Sequence, residues 1–256
     1  MMRNFWTIFK KELRVYFTSP IAYAVMVIFL TATGYFFYNS LAYYSLVSLQ
    51  AMRNPYFENL NLVDMVLSPL FGNISVIMLL MLPVLTMRLF AEEKKSGTLE
   101  LLFSYPVRDI EVLLGKYCAA LAVLMIMVGL TGFYQLVLWA LGRSAPGVIV
   151  SGYLGLFLLG AAFIALGVFV SSLTENQIVA AVVSFGVLLL FWVIGWSAST
   201  VGPPLSRIFE YLSLVKHLVN FAKGIIDTAD VVYCLAMIFF FLFLTLRSLE
   251  SKRWRG

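Results

Sequence analysis

Six apolar runs, at about 21–41, 70–90, 113–141, 152–173, 178–199 and 231–248, constrain this chain more than any other feature, and none has a charge in its middle. A run of about 20 residues rises about 30 Å as an α-helix, which is the thickness of a bilayer's hydrocarbon core. Inside that core the backbone must satisfy its own hydrogen bonds, and a helix does so within one segment. The expected fold is therefore all-α, a polytopic membrane protein with six transmembrane helices. The runs consume most of the 256 residues and leave no stretch for a separate soluble domain. Hydrophobic residues make up 62% and charged residues 12% of the chain, whereas soluble domains hold about half and about a quarter. The third run exceeds what one span needs, so it tilts or extends beyond the membrane.

An even number of spans puts both termini on one side, and the basic residues decide which. With the termini inside, the inner segments hold Arg3, Lys10, Lys11, Arg14, Arg88, Lys94, Lys95, Arg108, Lys116, Arg247, Lys252, Arg253 and Arg255. The outer segments hold Arg53, Arg143, Arg207, Lys216 and Lys223. Thirteen against five places the termini in the cytosol of a cell's inner membrane. The net charge of +5 is then a topology signal, with the lipid bilayer rather than nucleic acid as the partner. Residues 1–19 read as an interfacial amphipathic helix, with Phe5, Phe9, Leu13, Tyr16 and Phe17 on one face and Lys10, Lys11, Glu12 and Arg14 between them. The small-residue cleavage site of a signal peptide is missing there, and Pro20 suits the first turn of span one.

Two outer segments are long. Residues 42–69 could hold a short surface helix before Pro69. The other opens with Gly202-Pro203-Pro204, and residues 205–222 then form an amphipathic helix, surface-lying or re-entrant. Its apolar face carries Leu205, Ile208, Leu212, Val215 and Val219; His217 reads as a residue of the polar face. Cys118 and Cys234 fall near opposite ends of their spans and read as small core residues.

The uncharged interior excludes ion-coupled transport, which needs an ionisable group near the midplane. No Gly-x-x-x-x-Gly-Lys-Ser/Thr phosphate loop exists; the pair Gly115-Lys116 is followed by tyrosine, and Lys116 reads as a lysine snorkelling from span three. Energy must come from another polypeptide. A stand-alone channel lacks a filter-like motif; a membrane scaffold that only anchors a partner is the alternative function.

The longest polar interruption runs Arg88-Leu-Phe-Ala-Glu-Glu-Lys-Lys-Ser-Gly-Thr-Leu-Glu-Leu-Leu-Phe-Ser-Tyr-Pro-Val107. Gly97 allows a sharp turn, Ser96 or Thr98 can cap a new helix with Glu100 in its first turn, and Tyr105-Pro106 ends it. Leu99, Leu101, Leu102 and Phe103 give that short helix a surface suited to a partner's groove. In span four, Gly152, Gly155, Gly160, Ala161, Ala162, Ala165 and Gly167 expose a small surface, for close static packing or for sliding contact.

The segment Arg88–Val107 resembles the ABC-2 type ABC transporter permeases. In that family Glu-Glu-Lys-x-x-Gly-Thr-x-Glu-Leu-Leu follows span two and a Pro-Val pair leads into span three. The run Phe9-Lys-Lys-Glu-Leu-Arg-x-Tyr-Phe-x-Ser-Pro20 is similar to the family's interfacial connecting helix. Phe221–Ile226 and Arg247–Trp254 resemble most the gliding-motility-associated permease subunit and its relatives linked to copper-enzyme maturation. The resemblance implies one ABC-2 transmembrane domain over 1–256, acting as a homodimer or heterodimer with a second permease subunit. It implies an exporter driven by a cytosolic ATPase, with ATP and Mg in that partner and no cofactor in this chain. Residues 92–105 would be the coupling helix, with Leu101, Leu102 and Phe103 as its anchors, and Glu92, Glu93 and Glu100 would pair with partner bases or with the N-terminal helix near Lys10, Lys11 and Arg14.

Overall fold

The computed structural model describes residues 2–51, 61–98, 107–141, 145–197 and 202–253. All its regular elements are helices among those residues, and six are long and apolar enough to cross a membrane. Helix α1 (Met2–Thr18) precedes α2 (Pro20–Ala51), the first span. A π-helical turn (Val63–Leu67) leads into α3 (Ser68–Thr86), the second span, which α4 (Arg88–Lys95) extends. Helices α5 (Asp109–Leu130) and α6 (Gly132–Ala140) make the third span, and α7 (Pro146–Leu173) and α8 (Gln177–Ser197) the fourth and fifth. Two short helices, α9 (Pro203–Leu212) and α10 (Leu214–Ala222), precede the sixth span, α11 (Thr228–Arg253).

Helix α7 is the axis of the bundle. Of its most apolar window 78% is buried, against 17% for α8, so one span is enclosed by neighbours while the other lies at the periphery. The sequence explains the enclosure: α7 meets its neighbours through glycines. A Cβ on Gly152 would strike the ring of Phe71, one on Gly160 would lie 2.5 Å from Met78 Cε, and one on Gly167 would strike Thr86. All three partners are on α3, so the backbones approach as small residues permit in an apolar medium that gives no hydrophobic drive. On another face Gly155 leaves 2.5 Å between its missing Cβ and Phe221 Cβ of α10. Both cysteines are free.

Three elements differ in course from the sequence reading. Helix α2 does not stop near residue 41 but continues to Ala51, because no Gly or Pro interrupts Leu41–Ala51. Its 32 residues span about 48 Å, well beyond a bilayer core. Span three breaks at Thr131, whose hydroxyl turns back to the Val128 carbonyl at 2.6 Å and meets Tyr153 at 3.0 Å. The amphipathic stretch 205–222 is two helices rather than one, separated at Ser213 with φ −72° and ψ 116°. That extended residue interrupts the hydrogen-bond ladder, and the orphan carbonyls at the end of α9 are taken by side chains: Tyr233 donates to Leu212 at 2.9 Å, and His217 Nε2 faces Tyr211 at 2.8 Å. His217 is accordingly not a residue of an exposed polar face; it is 5% exposed.

Candidate coupling site

At the end of the bundle that carries α1, three elements converge on one lysine. Lys116 sits in the second turn of α5 with 1% of its surface exposed. Its Nζ donates to Glu12 Oε1 of α1 at 2.9 Å and to the Leu89 carbonyl of α4 at 2.7 Å. Glu93 Oε1 of α4 lies 3.0 Å away, and the ammonium stands 5.2 Å above the Phe90 ring centroid. Lys116 is therefore a buried ion-pair centre and does not snorkel. The reason is local: two carboxylates and a carbonyl surround the ammonium, which repays part of the desolvation that burial costs.

Lys11 completes the cluster from the surface, 2.9 Å from Glu93 Oε1 and 3.6 Å from Glu12 Oε1. Burial alone would lower its pKa, but Glu93 and then Glu12 outweigh burial and hold it above the ordinary lysine value. Because the folded value is the raised one, the stabilisation from this ammonium is complete below the unfolded lysine pKa. It is lost only as pH rises through the higher folded value. Nearby, Arg88 Nε pairs with Glu92 Oε2 at 3.1 Å and its Nη1 donates to Ser19 at 2.7 Å. Tyr16 reaches the Leu85 carbonyl at 3.1 Å. Helix α1 can lie this close to α5 because position 115 is glycine: a Cβ there would sit 2.8 Å from Ile8 Cγ2.

Between α3 and α4 the helix is held open rather than merely bent. Pro83 lies one turn before the break at Met87. The hydroxyl of Ser171, from the end of α7, donates to the Met87 carbonyl at 2.8 Å and accepts the amides of Phe90 and Ala91 at 3.1 Å each. Ser171 thus occupies the gap in the i→i−4 ladder, a recognised cause of helix kinks. Lys94 donates to the Ser172 carbonyl and so caps the last turn of α7.

Helix α4 ends at Gly97, whose φ of +68° lies in the left-handed region that glycine enters without strain. Ser96 and Thr98 hydroxyls both donate to the Glu93 carbonyl, at 3.2 and 3.3 Å, and fix the direction in which the chain leaves. On the far side of the 99–106 stretch, Glu111 accepts the Arg108 amide at 3.3 Å and an Asn4 amide hydrogen at 3.3 Å. A cleft of about 270 Å³ opens between α1 and α4, lined by Lys11, Glu12, Arg88, Glu92, Glu93 and Thr98.

The residues read from the sequence divide accordingly. Glu92 and Glu93 belong to α4, the continuation of span two, and not to a helix beginning at 92; no helix breaker intervenes before Gly97. Lys11 and Glu12 enter the ion cluster, whereas Lys10 and Arg14 are exposed on α1. Gly97 and Thr98 form the turn. Glu100, Leu101, Leu102 and Phe103 lie outside the described residues. Sequence reasoning missed Lys116 and Ser171 as members of the site. A lysine one turn inside an apolar run, with carboxylates at 12 and 93 needing partners, was the available signal for the first; nothing marks a serine as a wedge.

A comparison with curated proteins returns no match. The family described as ABC-2 family transporter protein matches residues 6–253, which takes in most of α1, all six spans and the Lys116 cluster. The chain belongs to the ABC-2 transporter family and is a multi-pass membrane component of such a transporter, a permease subunit.

Proposed function

We propose that this permease subunit is driven by a separate ATP-hydrolysing subunit that docks at the α1 end of the bundle. One observation carries the reading. Lys116 ties α1, α4 and the start of α5 together through Glu12, Glu93 and the Leu89 carbonyl. The 99–106 stretch, with Leu101, Leu102 and Phe103, departs from this unit at one end and re-enters it at the other. A push on that stretch is therefore delivered to α1 and to spans two and three together. The α1 end faces the cytosol of the inner membrane, a placement that the excess of basic residues there supports, and ATP and Mg are bound in the partner.

Export by a pair of permease subunits, identical or different, is the direction and stoichiometry that fit the ABC-2 pattern. The gliding-motility and copper-enzyme-maturation permeases are the subgroup that Phe221–Ile226 and Arg247–Trp254 favour.

Purification in mild detergent from native membranes tests the docking. A polypeptide with a phosphate-loop motif should travel with the chain in near-stoichiometric amount, and Leu102→Glu should remove it while the permease itself remains folded. If no nucleotide-binding subunit accompanies the wild-type chain, the subunit is a scaffold and the coupling role is lost.

A further inference from the structure

His217 is the chain's single histidine, and the junction of α9, α10 and α11 closes around it. Its Nδ1 lies 2.6 Å from Asp230 Oδ1, in the first turn of α11, and its Nε2 lies 2.8 Å from the Tyr211 carbonyl at the end of α9. The ring stacks on Tyr233 with 3.9 Å between centroids and 17° between planes, and Tyr211 closes it edge-on. Asn220 donates to the other Asp230 oxygen at 2.8 Å. His217 is 5% and Asp230 4% exposed.

A backbone carbonyl offers only lone pairs, and so does an ionised carboxylate. An imidazole that faces one of each satisfies both only when each ring nitrogen carries a proton. Moving the shared proton onto Asp230 leaves the count unchanged. Removing one proton from the pair is different, because a ring nitrogen must then aim a lone pair at an oxygen less than 3 Å away. Water cannot relieve that contact at a buried site, and an unmet pair of acceptors there is costly.

The ring also stands where a fastening would matter. Helix α10 is fixed to the bundle: Ser68 donates to Ala222 at 3.0 Å, Ser151 donates to Phe221 at 2.8 Å, and Phe221 packs on Gly155. Helix α9 lies instead along α8, the peripheral span. Between α9 and the fixed part stands the Ser213 elbow, crossed by His217 and by the Tyr233 hydroxyl on Leu212.

We propose that His217 is a proton-dependent latch at the end of the bundle opposite α1. With both ring nitrogens protonated it fastens the end of α9 to α10 and α11; with one proton lost it releases the end of α9. The groups facing the ring are Asp230 and Tyr233, with Cys234 beside them, from α11 and Tyr211 from α9. Lys216 and Glu210 pair with each other at the surface, 2.6 Å apart. Helices α3, α7 and α8 contain no Asp, Glu, Lys, Arg or His, so among the described residues those three helices bring no competing charge to the ring. The latch depends only on the α9–α11 geometry and stands whether or not an ATPase docks at the other end.

Hydrogen exchange on the full chain in lipid nanodiscs, corrected for the intrinsic pH dependence of exchange, tests it at about pH 5.5 and about pH 8.5. The amides of residues 209–217 should lose roughly tenfold in protection at the higher pH, and His217→Gln should abolish that difference. Because the histidine is single, ¹⁵N-histidine spectra of the same samples report its ring alone. Two protonated nitrogens should be seen at low pH and one at high pH, changing together with the protection. Equal protection at both pH values in the wild type overturns the latch, and so does a wild-type response retained in His217→Gln. Should that variant fail to fold, a singly protonated ring in a fully protected elbow overturns it from the wild type alone.

Discussion

Lys116→Met is expected to destabilise the protein by about 3–5 kcal/mol, the usual cost of removing one partner from a buried ion pair. The substitution keeps the apolar volume, so the loss is electrostatic. Glu12, with 8% of its side chain exposed, and Glu93, with 15%, would remain as acids whose shared cation has gone; Lys11, half in solvent, compensates them only in part, from 2.9 Å at Glu93 and 3.6 Å at Glu12. Apparent melting temperature in detergent should fall on the order of 10 °C. Adding Glu12→Gln and Glu93→Gln to Lys116→Met should recover most of that fall, since a neutral replacement of a buried ionic group is often tolerated. Unchanged melting of the single variant would mean that the lysine is not enclosed as described.

The second large effect is at the axis of the bundle. Gly152→Ala should destabilise by about 1–3 kcal/mol, as overpacking of a filled core does. The added Cβ meets the ring of Phe71, which is itself fully buried and has no room to swing aside. Phe71→Leu in the same chain should restore part of the loss by making space. Gly186→Ala on α8 is the control: nothing lies within 4 Å of its Cβ position, so the helix propensity of alanine should leave stability unchanged or up to about 1 kcal/mol higher. Thermal unfolding of the three variants in one detergent reads all of this. Equal behaviour of the substitutions at Gly152 and Gly186 would contradict the enclosed position of α7.

The six spans were legible because length and hydropathy are properties of a single segment, and a bilayer tolerates few alternatives to a helix of that length. The small residues of α7 announced close packing for the same reason. What the linear pattern hid depends on pairing between distant segments. Lys116 looked like a snorkelling lysine because the two carboxylates that hold it stand at positions 12 and 93. His217 fell on the polar face of an ideal 205–222 helix, but the break at Ser213 turns it inward to Asp230. The wedge at Ser171 leaves no trace in composition, since its hydroxyl acts on one carbonyl and two amides 80 to 84 residues away. The turn at Gly97 was readable from glycine alone, and its φ of +68° gives the physical reason.

The central claim is that an external ATPase acts on this permease through the stretch that the Lys116 unit carries. The most direct measurement is ATP hydrolysis by the permease and its copurified nucleotide-binding subunit in nanodiscs, compared between wild type and Leu101→Ala/Leu102→Ala/Phe103→Ala. The account predicts that the wild-type permease changes the hydrolysis rate of the isolated ATPase and that the triple variant, with unaltered melting temperature, does not. Identical rates with the wild-type permease, the triple variant and no permease would contradict it.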